Sequence, residues 1–139
     1  MKKYILLSAV FALIAVFAFA GGEIPAAVKT KFASMYPAVK KVKWGQEGVN
    51  YEAEFDVNEV ETSVLFDATG NALETETEIK ASELPKSVTD YCTKTWAGKK
   101  IKEASKITDS KGVITWEAEI DGIDQIFDAN GTFLKSVKD

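Results

Sequence analysis

The chain has 139 residues and carries 21 acidic residues against 17 basic ones, a formal net charge of −4. This length suits one compact domain, and the acidic balance argues against a nucleic-acid partner, because phosphates require a basic surface. The sequence contains no histidine and a single cysteine, Cys92. An internal disulfide is therefore excluded, and so are the catalytic triads and metal sites that depend on histidine.

The first twenty residues are typical of an exported protein. Two lysines precede an apolar run, Ile5 to Phe17, and the small-x-small triplet Ala18 to Ala20 follows. This pattern predicts a Sec signal peptide over residues 1–20, cleaved after Ala20, and a periplasmic or secreted mature protein. An uncleaved membrane anchor is the alternative, since the apolar run approaches the length of a spanning helix. With cleavage, the mature protein has 119 residues, a net charge of −6 and no membrane-inserted segment.

The remainder of the chain contains segments that occur twice in the same order. The matched pairs are residues 23–37 with 83–97, YEAEF (51–55) with WEAEI (116–120), and FDATGNAL (66–73) with FDANGTFL (127–134). A repeat of about 60 residues predicts two tandem units, 21–80 and 81–139, that together form one domain.

Each unit begins with the pattern of an amphipathic helix. Apolar residues recur at helical spacing, and a proline (Pro25 or Pro85) lies at the expected first turn. The two apolar stripes are Ile24, Val28, Phe32, Met35 and Val39, and Leu84, Val88, Cys92 and Trp96. Because Cys92 lies within a stripe, we expect a buried and unreactive thiol.

Four strands are expected after each helix, and the EAE segments have the clearest strand pattern. Apolar residues alternate there with glutamates: Tyr51, Ala53 and Phe55 with Glu52 and Glu54, and Trp116, Ala118 and Ile120 with Glu117 and Glu119. The Asx-Gly turns in DATGN and DANGT predict hairpins. The simplest assembly is an α+β fold of two tandem helix-plus-antiparallel-sheet repeats, with both helices on one face of the sheet and the other face open.

These motifs resemble a known family. The order IP or LP before a helix, then Y/W-E-A-E-F/I, then F-D-A-x-G-x-x-L, written twice after a signal peptide, resembles the PepSY-like family of exported bacterial proteins. That family is similar in turn to the β-lactamase-inhibitor-protein (BLIP) fold. The resemblance implies one broad free sheet face and relatives that bind or inhibit proteins. This chain departs from the inhibitor in lacking any pair of cysteines.

The paired glutamates raise the question of acid–base catalysis. Glu52 and Glu54 would lie about 7 Å apart on one face of a strand, a separation that some glycosidases use. Catalysis needs a carboxyl group with a raised pKa in a dry pocket, whereas alternating glutamates predict a face exposed to water. We therefore expect neither enzymatic activity nor a cofactor. A calcium site at Glu74, Glu76 and Glu78 is a further alternative, although no loop offers clustered Asp-x-Asp ligands.

Charge is unevenly distributed within the units. Residues 23–46 and 82–106 hold eleven lysines and four acids, a net +7, whereas residues 47–80 and 107–139 hold four lysines and seventeen acids, a net −13. One explanation of this uneven distribution is that the charges keep the protein soluble and protect the strand edges from pairing with other chains. The other is a recognition face whose acids attract and orient a basic protein partner.

Apolar residues are predicted among these acids. By alternation from Phe66 and Phe127, Leu65 and Ile126 project to the glutamate side, and Phe133 does so beside an inward Leu134. We therefore predict an exported, non-enzymatic binding protein, an inhibitor or regulator, that engages an unidentified protein partner through an acidic open sheet face. A calcium- or cation-binding envelope protein is the alternative. The predicted contact residues are Glu52, Glu54, Leu65, Glu74, Glu76, Glu117, Glu119, Ile126 and Phe133.

Overall fold

The computed structural model describes residues 22–138. The expected signal peptide, residues 1–20, lies outside the described residues. Two helices and eight strands form an α+β fold, which confirms the predicted class. In chain order the elements are α1 (Ala26–Met35), β1 (Lys43–Glu47), β2 (Asn50–Val57), β3 (Val60–Phe66), β4 (Ala72–Glu78), a 3-10 turn (Ala81–Glu83), α2 (Lys86–Thr95), β5 (Glu103–Asp109), β6 (Ile114–Ile120), β7 (Ile123–Phe127) and β8 (Phe133–Lys138).

The eight strands form one open antiparallel sheet in sequence order, from β1 at one edge to β8 at the other. Hairpins join all neighbouring strands except β4 and β5, whose connection contains α2. These two central strands still pair over five residues, Glu74–Glu78 with Ser105–Asp109. In the part of the chain that the structure describes, no helix is long and apolar enough to cross a membrane.

Each helix begins directly after a proline. Pro25 and Pro85 occupy the N-cap positions, one residue before the predicted first turn, and the Pro25 carbonyl accepts hydrogen bonds from the Val28 and Lys29 N–H groups. Proline is suited to this place because N–H groups at the start of a helix have no intrahelical partners, and proline has no backbone N–H group. The predicted proline position is therefore wrong by one residue, while the helix assignments are confirmed.

Both helices pack their predicted stripes on the same face of the sheet. Under α1 the core contains Val28 and Phe32 against Phe55, with the two phenylalanine ring centroids 5.0 Å apart in an edge-to-face contact. Under α2 it contains Val88, Cys92, Ile120 and Phe127, and Trp116 packs against them. The alternation of the EAE strands predicts that Tyr51, Phe55, Trp116 and Ile120 lie beneath the helices, and the structure confirms this.

The two Asx-Gly turns contact the helix starts. Asp67 Oδ1 accepts hydrogen bonds from the N–H groups of Thr69 at 2.9 Å and Asn71 at 3.0 Å, which closes the β3–β4 turn. Gly70 in this turn has φ +89° and lies so close to α1 that a Cβ would stand 2.7 Å from the Ala27 carbonyl oxygen. The turn therefore holds the first residues of α1 over the sheet.

A β-bulge near the start of β8 reverses its side-chain alternation. Phe127 pairs with Phe133 but Ile126 pairs with Lys135, so Leu134 is the extra residue. The ring of Phe133 stacks on Tyr91 of α2 at 4.7 Å, and Leu134 is 48% exposed. The predictions that Phe133 faces the glutamate side and that Leu134 faces inward are both wrong, because simple alternation does not hold across the bulge.

Candidate functional site: the acidic face

The sheet face opposite the helices, which we call the acidic face, carries most of the predicted site residues. Directly opposed residues of antiparallel strands project to the same side, so strand register fixes its membership. Glu52 on β2 lies opposite Leu65, and Leu65 lies opposite Glu74. The acidic face includes Lys43, Glu47, Glu52, Glu54, Glu61, Ser63, Leu65, Glu74, Glu76, Glu78, Glu103, Ser105, Ile107, Asp109, Glu117, Glu119, Asp124, Ile126 and Lys135.

Eight of the nine predicted contact residues lie on this face, Phe133 being the exception. Their expected exposure is largely wrong. Four glutamates are buried, namely Glu52, Glu76, Glu117 and Glu119, and Glu76 is only 1% exposed. Leu65 and Ile126 are buried as well, so they do not form an exposed apolar patch. Of the predicted acids, Glu54 and Glu74 remain partly exposed.

The burial arises within the sheet itself. Among residues 22–138, both helices pack on the opposite face, so no helix shields these side chains. Twisted antiparallel strands coil, and the side chains on the inner side of the coil converge. We infer that the sheet curves toward the acidic face, where long glutamate side chains cover one another and the apolar residues between them.

Several members of the acidic face are absent from the residues predicted by sequence. Asp124 lies two residues before Ile126 on the same strand, so the alternation that selects Ile126 also selects Asp124. Asp109 joins the face through its pairing with Glu74, a contact between the two halves of the chain that alternation within one strand cannot reveal. Lys135 reaches the face only because of the bulge at Leu134.

Burial and like charges weaken the acidity of Glu52. Burial raises the pKa of its carboxyl group from 4.5 to about 7, and the nearby carboxylates of Glu47 and Glu54 act in the same direction. A hydrogen bond from Ser63 and the charge of Lys43 lower the pKa but do not offset these effects. Lys43 itself donates to Glu54 at 2.7 Å, so its charge is shared between the two glutamates.

Glu74 is perturbed in the same way from a different set of strands. Burial raises the pKa of its carboxyl group to about 7, and the acids Glu47 and Asp109 add to the effect. Lys135, from the far edge strand, is the neighbour that lowers it.

Glu76 lies deepest in the acidic face. Burial is the main cause that raises the pKa of its carboxyl group well above 4.5, and the acids Glu74, Glu52 and Asp124 contribute further. The Ser105 hydroxyl acts in the opposite direction. Even so, among the described residues neither carboxylate oxygen of Glu76 has a hydrogen-bond partner of standard geometry. An ionised carboxylate is strongly disfavoured in such a setting.

Elsewhere on the face a lysine compensates the buried acids. Glu119 lies 3.5 Å from the Nζ of Lys102, which also lies 3.9 Å from Glu103. The acidic face therefore has an outer region near β5 and β6 with a compensating cation, and an inner region at Glu52, Glu74 and Glu76 where carboxyl groups crowd one another.

Two other kinds of site bear on function. Within residues 22–138, no group of three or more His, Cys, Asp or Glu side chains is arranged to hold a metal ion. A cleft of about 330 Å³ lies beside β1 and β2, with Lys43, Glu54 and Glu61 among its lining residues. Two of these already form the ion pair described above.

Comparison with solved structures identifies the fold. A proposed periplasmic protein from Bacteroides eggerthii is 18% identical, with a TM-score of 0.71 over 84% of this chain and 89% of that chain. A DUF2874 family protein from Bacteroides ovatus is 22% identical, with a TM-score of 0.68 and coverage of 84% and 89%. A BLIP-like protein from Bacteroides fragilis is 26% identical, with a TM-score of 0.63 and coverage of 84% and 88%.

The chain thus shares the fold of these Bacteroides proteins, and the expected similarity to the BLIP fold is confirmed. No protein-family model and no curated protein matches the sequence.

Proposed function

We propose that this protein is an exported, non-enzymatic binding protein, an inhibitor or regulator, that engages a basic protein partner through the acidic face. The observation that carries the proposal is the asymmetry of the sheet, whose two helices cover one face while carboxylates from several strands gather on the other. A periplasmic location is supported by the signal-peptide pattern of residues 1–20 and by the similarity to a proposed periplasmic protein.

We also propose that the chain is PepSY-like and consists of two tandem units, residues 21–80 and 81–139. The same order of one helix and four strands in each half supports this division. So does the recurrence of the Asx-Gly turn at Asp67 and Asp128, each with the same pair of backbone hydrogen bonds to its aspartate Oδ1.

Acidic side chains and apolar residues in exposed turns would contribute to binding in different ways. The partly exposed side chains of Glu54 and, above its pKa of about 7, Glu74 would attract and orient a basic surface. Such attraction raises association rates more than affinity. Affinity also requires apolar contact. Val49 and Val113, exposed to 81% and 54%, lie in the β1–β2 and β5–β6 turns, which the antiparallel order places at the same end of the sheet.

The test compares two charge-matched variants in affinity capture from envelope extract. Capture is done at pH 8.5, where Glu74, whose pKa burial raises to about 7, is ionised. There Glu54→Gln/Glu74→Gln removes two charges from the acidic face, and Glu23→Gln/Asp90→Asn removes two exposed charges from the helical side, where Glu23 and Asp90 pair with nearby lysines. We expect a salt-sensitive partner that the wild type and the helical-side variant retain and the acidic-face variant releases. Equal retention by both variants would count against the acidic face.

Calcium titration by calorimetry separates the cation-binding alternative. That alternative requires saturable calcium binding by the wild type which Glu74→Gln weakens, without any need for a protein partner.

A further inference from the structure

Glu76 is the side chain on the acidic face for which the fold provides the least compensation. Its carboxyl group is 1% exposed, and within the described part of the chain its oxygens have no hydrogen-bond partner of standard geometry. It pairs across the sheet with Ser63 on β3 and Ile107 on β5, neither of which can supply a positive charge. A carboxyl group held in this way is stabilised by binding a proton.

We propose that Glu52, Glu74 and Glu76 form a proton-binding cluster that is occupied in the folded protein near neutral pH, so that the stability and charge of the acidic face change with pH in this range.

The groups that face Glu76 come from several strands, and the charged ones among them are acidic. Glu52 approaches from β2, Asp124 from β7, and Glu74 from the same strand as Glu76. Ser105 on β5 is the neighbour that favours the ionised form. Ionising Glu76 would therefore place a negative charge among existing negative charges, out of contact with water.

The other two members of the cluster have lysines near them, but each lysine is shared. Glu52 faces Glu47 from β1 and Glu54 from its own strand, against Lys43, which donates to Glu54 at 2.7 Å. Glu74 faces Glu47 as well as Asp109 from β5, against Lys135 from β8. Glu117 on β6 lies on the same face, opposite Ser105. Among the described groups whose charges act on Glu52, Glu74 and Glu76, acids therefore outnumber cations around each member, and binding protons lowers the local charge.

The direction of the pH dependence follows from linkage. Burial raises the pKa of Glu52 from 4.5 to about 7 in the folded protein, so the folded state holds the proton more tightly than the unfolded state. The resulting stabilisation is fully present below pH 4.5 and is lost as the pH rises through 7. For Glu52 alone, the folding equilibrium constant is expected to fall about 30-fold between pH 5.5 and 8.5, given these two pKa values. Glu76, whose pKa burial also raises well above 4.5, adds to this loss of stability as the pH rises.

Neither histidine nor the cysteine of this chain interferes with a measurement of pH dependence between pH 5.5 and 8.5. It contains no histidine, so no imidazole titrates between pH 5.5 and 8.5. Cys92 is buried and its pKa is raised by that burial, which moves the thiol away from this range.

The first experiment is a carbon-detected NMR titration of the side-chain carboxyl groups in the folded protein. We expect the Glu52 and Glu74 carboxyl groups to titrate near pH 7, and the pKa of Glu76 to lie well above the ordinary 4.5 of glutamate. Titration of all three cluster members near pH 4.5 would overturn the proposal. This measurement uses the wild-type chain and needs no variant to fold.

The second experiment measures unfolding in urea at pH 5.5 and 8.5 for the wild type, Glu76→Gln and the control Glu23→Gln. We expect the wild type to lose at least 30-fold in its folding equilibrium constant across this range, as the linkage relation above requires. Glu76→Gln should lose less, and Glu23→Gln should behave as the wild type. A wild-type stability that is equal or greater at pH 8.5, or an identical loss in Glu76→Gln, would contradict a proton-binding cluster.

Discussion

Replacement of Gly70 by alanine tests how the β3–β4 turn holds helix α1. Gly70 has φ +89°, and an added Cβ would lie 2.7 Å from the Ala27 carbonyl oxygen and 3.0 Å from its carbonyl carbon. Both are backbone atoms, so relief requires the helix to move away from the turn. The left-handed conformation costs alanine about 1–2 kcal/mol, and overpacking adds about 1–3 kcal/mol. We expect Gly70→Ala to lower the free energy of unfolding by about 3.5 kcal/mol, the middle of the combined range.

Two other glycines provide matched controls. Gly112 occupies the same position in the Asp109 turn with φ +80°, but a Cβ added there would meet no atom within 4 Å, so Gly112→Ala isolates the conformational cost. Gly131 in the Asp128 turn has φ +79° and would clash with the Ser87 hydroxyl, a side chain that can rotate at the loss of its 3.0 Å hydrogen bond to the Asn130 carbonyl. The expected order of destabilisation is Gly70→Ala, then Gly131→Ala, then Gly112→Ala.

Urea unfolding followed by tryptophan fluorescence measures this series, because Trp44 and Trp116 pack against the two cores. Equal losses for Gly70→Ala and Gly112→Ala, within about 0.5 kcal/mol, the usual spread for surface changes, would show that the contact with Ala27 contributes nothing. The reasoning about turn-to-helix docking would then fail, although the left-handed turn conformation would stand.

Three other predictions concern the core and the acidic face. Phe32→Ala should cost about 3–5 kcal/mol in urea unfolding, because a buried ring is removed; a loss below about 1 kcal/mol, well under the range for such truncations, would refute its place in the core. Cys92 should react with a thiol reagent only as fast as the protein unfolds, since the thiol is buried; rapid labelling of the native protein would contradict this. Glu76→Leu should raise stability at pH 8.5 more than at pH 5.5, because at the higher pH the unfolded chain gains stability by releasing a proton that the folded Glu76 holds; an equal effect at both would indicate packing alone.

Much of the fold is predictable from the sequence because its elements follow local rules. Apolar residues at helical spacing identify α1 and α2, and alternation identifies the EAE strands and the side that Phe55 and Ile120 face. The segments VKKVKW (39–44) and IKEASKI (101–107) predict the first strand of each unit less well. β1 begins four residues later, at Lys43, and β5 two residues later, at Glu103. Pairing with β2 and β6 fixes those boundaries, and pairing is not visible in a single segment.

The sequence predicts the correct face for the candidate site but the wrong environment. Alternation reports which side a residue faces, and it places Glu52, Glu74 and Glu76 together correctly. It does not show how closely the side chains of neighbouring strands cover one another, and Glu76 is buried among them. The error at Phe133 has a local cause, because one extra residue at Leu134 reverses the order of sides.

The acidic face is not what stability alone would favour. Apolar side chains fit on the acidic face, as Leu65, Ile107 and Ile126 show. Replacing buried charged groups by apolar ones of similar volume is often neutral or stabilising. Clusters of carboxyl groups with raised pKa values are common at functional sites. Because its carboxyl groups can bind and release protons, the proton-binding cluster makes the fold respond to pH, which leucine side chains at the same positions could not do. Below neutral pH the face is closer to uncharged and the fold is more stable, whereas above it the same residues present more negative charge. Attraction for a basic partner would therefore rise with pH as the intrinsic stability falls, and binding would add cations to an inner region where acids outnumber lysines among the described residues.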